Sequence, residues 1–228
     1  MKPVPPMSRI GPNRSGSCHH PRVPAAPAEP YPGNVYDKYD TRNPVVRRLM
    51  RRFLGELDAL VDPLAPADLL DVGCGEGRVT EHLAARLTAD ARVVGLDRDV
   101  PKLRAAWTAR DAARVELRTG DAHALPFADD AFDVVTLIEM LQLVEDPPRA
   151  LDEALRVARR AIVVTVPDEP LWRALNVARG AYVRERGNTP GHIHHWSRRA
   201  FAELLAARGE VVSLRRCRPW LLAVVRRP

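Results

Sequence analysis

A chain of 228 residues (25.4 kDa), 46% hydrophobic and 28% charged, is long enough for one α/β domain and is composed like a globular protein. It has no apolar run near the roughly 20 residues a membrane helix needs and no N-terminal apolar stretch of the secretory kind, which predicts a cytoplasmic protein without a membrane span. The net charge of +6 lies at the ends: residues 1–33 carry +3 and residues 211–228 carry +5, so the stretch between them sums to −2 and offers no basic footprint for a nucleic acid.

Nine of the 21 prolines fall in residues 1–33, with no helical or strand period, which predicts a disordered Pro-rich tail. Met7 is an alternative start within it. The Cys18-His19-His20 cluster reads as solvated tail, because further ligands at metal spacing are missing. Cys18, Cys74 and Cys217 are odd in number and far apart, which predicts reduced thiols.

From residue 34 to residue 228 the pattern is that of a single domain. Asn43 and Pro44 form a helix start, followed by Val46, Leu49, Met50, Phe53, Leu57, Leu60 and Val61 at three- and four-residue steps. Short β-branched runs at Asp68–Val72, Arg92–Asp97, Arg114–Arg118, Phe132–Leu137 and Ala161–Val166 read as buried parallel strands. Helical patterns fill the intervals at Gly77–Leu87, Asp99–Asp111 and Pro148–Val157. The rhythm then breaks at a helix-prone insert, Glu169–Arg186, followed by a loop and a helix over Ser197–Arg208 that Gly209 should terminate. Val211–Arg216 and Trp220–Arg226 are separated by only three residues, which suits an antiparallel hairpin. The expected fold is a Rossmann-like, doubly wound α/β sheet, mostly parallel, that ends in an antiparallel hairpin.

The first strand runs into Gly73-Cys74-Gly75-Glu76-Gly77, where glycines permit a tight turn and close approach of backbone to a ligand. Twenty residues on, Asp97 closes the second strand, where a carboxylate can accept both hydroxyls of a ribose. Nicotinamide enzymes space their glycines GxGxxG; here they run GxGxG, with Arg78 where the third glycine of that motif belongs, which points away from a dinucleotide.

Leu69–Gly77, Asp97, Gly120-Asp121-Ala122, Leu125-Pro126-Phe127 and Phe132–Val135 together resemble the successive motifs of class I S-adenosylmethionine-dependent methyltransferases, in particular their type-11-like small-molecule branch. The match covers about residues 43–226. The resemblance implies the seven-stranded fold of that class, with S-adenosylmethionine as cofactor, S-adenosylhomocysteine as product and no metal. It further implies that Asp71, Gly73, Cys74, Gly75 and Gly77 surround the methionine part, Asp97 holds the ribose, and Leu96 or Arg98 borders the adenine. Asp121 would receive the adenine amine, Ala122 would offer backbone, and Glu139 and Met140 would face the transferred methyl.

Methyl transfer needs an acceptor aligned with the C–S bond, exclusion of water and, for some acceptors, a base. Leu137-Ile138-Glu139-Met140 lacks the Asn/Asp-Pro-Pro-Tyr of base-amine methyltransferases, and no Pro-Cys pair stands there for a thiol route to pyrimidine carbon. Acceptor specificity is expected in Asn34–Asn43, Val166–Arg179 and Gly187–Trp196, with residues from about 167 to 196 forming a substrate cap. His192, His194 and His195 are either a source of the general base, beside Glu139, or side chains that fix the loop before the Ser197 cap. Trp172 and Trp196 suit an apolar or aromatic small-molecule acceptor, or else belong to the core. Two other functions stay open at this point: an RNA (tRNA or rRNA) methyltransferase using the arginine-bearing tails, and a protein that binds the cofactor without transferring methyl.

Overall fold

The computed structural model describes residue 39, residues 41–109 and residues 114–227. The expected tail, with Met7 and Cys18-His19-His20, lies outside the described residues. The sheet has seven strands in the order β3-β2-β1-β4-β5-β7-β6: β1 Asp68–Val72, β2 Arg92–Asp97, β3 Glu116–Thr119, β4 Phe132–Ile138, β5 Ala158–Pro167, β6 Glu210–Cys217 and β7 Trp220–Arg226. β1 to β5 are parallel, and β7 is antiparallel to both β5 and β6. The expected doubly wound sheet with a closing hairpin is therefore present.

Helix α1 (Pro44–Val61) starts where the sequence says: the Asn43 side chain accepts from the Val45 and Val46 amides, and Pro44 occupies the first turn, where its missing N–H costs nothing. Its apolar stripe of Met50, Phe53, Leu57 and Leu60 packs with α2 (Arg78–Ala84) on one sheet face, against Leu69, Val134, Val163 and Leu222. The alternate residues Leu70, Val135, Val164 and Leu221 point the other way, onto α4 (Pro147–Val157) and α6 (Arg198–Ala206). Period-two burial on both faces makes the central strands near-continuous apolar runs. Each fully buried Leu or Phe contributes roughly 1.5–3 kcal/mol of transfer free energy. The edge strands β3 and β6 are mostly exposed or half-buried and carry charge, which suppresses edge-to-edge pairing.

Several boundaries differ from expectation. β3 begins at Glu116, because Arg114 turns its guanidinium to the Leu87 and Thr88 carbonyls. α2 stops at Ala84, and helix α3 (Pro101–Thr108) starts only at its proline. β5 follows α4 without a loop and so begins three residues before Ala161. The insert forms a helix, α5, only over Leu171–Ala178, because Gly180, Tyr182, Arg186 and Gly187 all take left-handed φ and break the period. Ser197 caps α6, accepting from the Ala200 amide. Gly209 follows that helix without a left-handed φ; a Cβ there would lie 2.3 Å from the Arg226 carbonyl oxygen, so close packing against β7 requires the glycine.

Candidate active site

Strand order reverses between β1 and β4, and the carboxyl ends of β1 to β4 open there into one cavity of about 1260 Å³. That exceeds the roughly 300–1,000 Å³ of a one-ligand pocket and gives room for two.

The turn after β1 forms the floor. The Gly73 and Cys74 amides donate to the Leu96 carbonyl at 2.7 and 3.1 Å, tying the turn to β2. Gly73, Gly75 and Gly77 have φ of +74°, +54° and +81°, a region costly for any residue with a side chain. Gly73 also carries Met140 against it, where a Cβ would meet the Met140 Cβ at 2.6 Å, whereas a Cβ on Gly75 would stand in open space. Gly73, Cys74 and Gly75 line the cavity; Gly77 does not, and instead starts α2 with its carbonyl accepting from the Glu81 amide. The Cys74 thiol is buried, and burial pushes its pKa well up.

Asp71 is buried beneath the turn, accepting from Thr80 Oγ1 at 2.6 Å and Thr136 Oγ1 at 2.7 Å. Burial raises its pKa to about 6 against the two hydroxyl donors. At the end of β2, Asp97 Oδ2 accepts from the Gly75 amide at 2.7 Å and Oδ1 from the Arg98 amide at 2.6 Å. Burial raises the pKa of Asp97 too, opposed by these amides. Leu96, Asp97 and Arg98 all line the cavity. So do Gly120, Asp121, Ala122 and His123 beyond β3.

The fourth wall is the exit of β4. Glu139 adopts φ +51°; its amide donates to Thr165 and its Oε1 accepts from Trp220 Nε1 at 2.7 Å. Gln142 Nε2 donates to the Glu139 carbonyl at 2.6 Å, while the Gln142 carbonyl accepts from the Ile193 and His194 amides. The loop after the insert is thus strapped to β4. The cavity is also lined by Val46 and Leu49 of α1, Trp172 and Leu175 of α5, Arg179 just past the end of that helix, and Trp220 of β7. Trp172 lies 5.9 Å from Trp220 and 6.3 Å from His192, ring centre to ring centre.

The three loop histidines are not brought together. His192 lines the cavity; His194 and His195 do not. His194 stacks on Trp196 at 5.6 Å and faces the Glu145 carbonyl, and His195 lies 3.4 Å from Glu169, so both fix the loop. The tryptophans divide in the same way: Trp172 faces the cavity, whereas Trp196 packs on Phe201 at the core. Among the described residues no group of three or more His, Cys, Asp or Glu is arranged to hold a metal.

Sequence reasoning missed three side chains. Trp107 Nε1 donates to the Gly75 carbonyl at 2.8 Å, across a helix whose register the sequence left open. Trp220 meets Glu139 only because β7 inserts beside β5. His123 stood next to a recognised motif, and its i+2 spacing from Asp121 was a usable signal.

A family model described as a methyltransferase domain matches residues 70–163. The chain is 34% identical over 161 residues to a demethylmenaquinone methyltransferase of Lactiplantibacillus plantarum, covering 63% of this chain and 68% of that protein. It is 39% identical over 121 residues to the nocamycin O-methyltransferase of Saccharothrix syringae, covering 51% of this chain and 40% of that one. The magnesium protoporphyrin IX methyltransferase of Synechocystis PCC 6803, solved with bound SAH, shares the fold at a TM-score of 0.57 and 16% identity, covering 82% of this chain and 89% of that one. Sheet order, the glycine turn with its acids at successive strand ends, and these likenesses agree: the chain belongs to the class I S-adenosylmethionine-dependent methyltransferases.

Proposed function

We propose that this enzyme methylates an apolar or aromatic small molecule, bound between Trp172, Trp220, Leu175 and the start of α1. The observation that carries the reading is one cavity lined both by the glycine turn and by these aromatic and aliphatic side chains. The relatives named above are methyltransferases of demethylmenaquinone, nocamycin and magnesium protoporphyrin IX, which fits a small acceptor. The family match at residues 70–163 covers the cofactor half and leaves α1, α5, the loop and β7 outside it, as expected if acceptor choice resides there.

The residues present fit the cofactor: Gly75 leaves space where a Cβ would stand, and carboxylates occur at the ends of β2 and β3. Bound S-adenosylmethionine supplies an electrophilic methyl on sulfur. In this reading Gly73, Cys74 and Gly75 line the methionine part, and Asp71 acts from below by holding Thr80 and Thr136. Asp97 accepts from the ribose hydroxyls, Asp121 from the adenine amine, and Leu96, Arg98 and Ala122 border the ring. Met140 packs on Gly73 and keeps the turn close to the β4 exit. His192, held on Trp172, removes the acceptor proton where one must leave, and Glu139, fixed by Trp220, faces the reacting centre. His194 and His195 act through the loop alone.

The test is calorimetric titration with S-adenosylhomocysteine, followed by methyl transfer to a panel of hydroxylated aromatic acceptors. Asp97→Ala should weaken nucleoside binding by about 1–3 kcal/mol, the cost of losing charged hydrogen bonds. His192→Ala should spare that binding and lower kcat. Micromolar nucleoside binding with no turnover on any acceptor would instead favour a protein that binds the cofactor only.

A further inference from the structure

Asp121 lies at the cavity with its side chain 64% exposed, a position in which a lone carboxylate would sample several rotamers. His123 prevents this. Its backbone amide and its Nδ1 both lie 2.9 Å from Asp121 Oδ1, so one oxygen is doubly engaged from one side. Asp121 Oδ2 makes no hydrogen bond among the described residues.

The ring is itself fixed. Nε2 lies 3.4 Å from the amide of Asp146, the cap of α4, and the His123 carbonyl accepts from Arg149 Nε at 2.9 Å. Asp146 in turn accepts from the Arg149 amide at 3.1 Å. A carboxylate can only accept and a backbone N–H can only donate, so the two contacts select the neutral tautomer with its proton on Nδ1. His123 thus joins the β3–β4 loop to the start of α4, while Glu153 and Arg156 hold Leu125, Phe127 and Asp129 of the same loop to the rest of that helix.

We propose that His123 is a positioning residue that sets the preference for a 6-aminopurine nucleoside, by holding Asp121 so that Oδ2 alone accepts from the exocyclic amine. This rests on the reading of Asp121 as the partner of the adenine amine. A 6-oxopurine turns an acceptor toward the fixed carboxylate and is rejected; a carboxylate free to rotate relieves the clash and loses the contact, so discrimination falls.

The experiment titrates the full chain with S-adenosylhomocysteine and with S-inosylhomocysteine, its 6-oxo counterpart. The wild type should prefer the amino compound by about 10- to 100-fold, the worth of one hydrogen bond to a charged acceptor. His123→Ala and His123→Gln should cut that ratio by about tenfold, because neither places a donor where Nδ1 stands. His123→Asn, whose amide reaches that place, should keep it within about threefold. Thermal unfolding of each variant is compared, and should His123→Ala fail to fold, the Asn and Gln pair decides. An equal loss of affinity for both nucleosides, with the ratio unchanged, is the signature of a merely structural role and overturns the proposal, as does a loss in His123→Asn as large as in His123→Gln. Asp121→Asn separates the two layers. If it leaves the ratio intact, the reading of Asp121 falls and the proposal with it; if it narrows the ratio while His123→Gln does not, only the role of His123 falls.

Discussion

Asp71 shows how one side chain can be committed to architecture at an energetic cost that depends on pH. Its carboxyl is buried, bonded to two threonines, and pushed up to about 6. A carboxyl whose folded pKa is raised favours the protonated folded state, so its contribution is fully present below the unfolded value near 3.8 and is lost as pH rises through about 6. Asp71→Asn should therefore match the wild type near pH 4 and exceed it in stability above pH 6, by about 3 kcal/mol from a shift of roughly two pKa units. Melting curves at pH 4.5 and 7.5 check this; an advantage that shrinks with rising pH would contradict it.

At the scale of elements, α5 and its following loop form the proposed substrate cap. Asn176 is buried, and its Nδ2 donates to the Gly187 carbonyl at 2.8 Å and to Thr189 Oγ1 at 3.1 Å; Trp172 Nε1 donates to that same hydroxyl at 2.9 Å. Asn176→Ala leaves a buried carbonyl unmatched, costs about 1–3 kcal/mol locally, and should raise the acceptor KM several-fold while sparing nucleoside affinity. Steady-state kinetics with separate titration of each substrate distinguish this from general unfolding. The cap was the least legible part of the sequence. β1, β2 and β7 were read to the residue because β-branched runs ended in glycine, aspartate or arginine, and the Asn43 and Ser197 caps declared their helices. Glu169–Arg186 carried mostly helix formers, with Gly180 as an internal break, yet the left-handed turns at Tyr182 and Arg186 depend on tertiary contacts that no local propensity encodes. The acids at the ends of β2 and β3 were legible, and so was the i+2 spacing of His123 from Asp121, whereas Trp107 and Trp220 were not, since each acts across a turn or a strand insertion fixed only by the fold.

For the whole molecule, charge divides the chain, with the positive excess in residues 1–33 and 211–228. The stretch between residues 33 and 211 sums to −2, and the described residues contain no helix long and apolar enough to cross a membrane. Residues 34–228 are proposed to carry the complete activity. Deletion of residues 1–33 should change nucleoside affinity by less than about twofold at low and at high salt, because it leaves every described lining residue of the cavity in place. Deletion as far as residue 43 should behave differently, since Tyr39 and Asn43 line the cavity and Asn43 caps α1. Its expected result is a higher acceptor KM together with a lower melting temperature, measured against the shorter deletion.

The two walls of the cavity come from different stretches of chain. The glycine turn and the strand-end carboxylates lie between residues 71 and 121, while the aromatic wall is drawn from α1, α5 with its loop, and β7. Substitutions on the second wall touch few of the bonds that hold the first. With acceptor choice in the second wall, as proposed, selection can retool such an enzyme for a new metabolite while leaving its supply of methyl groups intact, and a recombinant that inherits the segment from Pro170 to Trp196 from a paralogue should change its clientele in a single step.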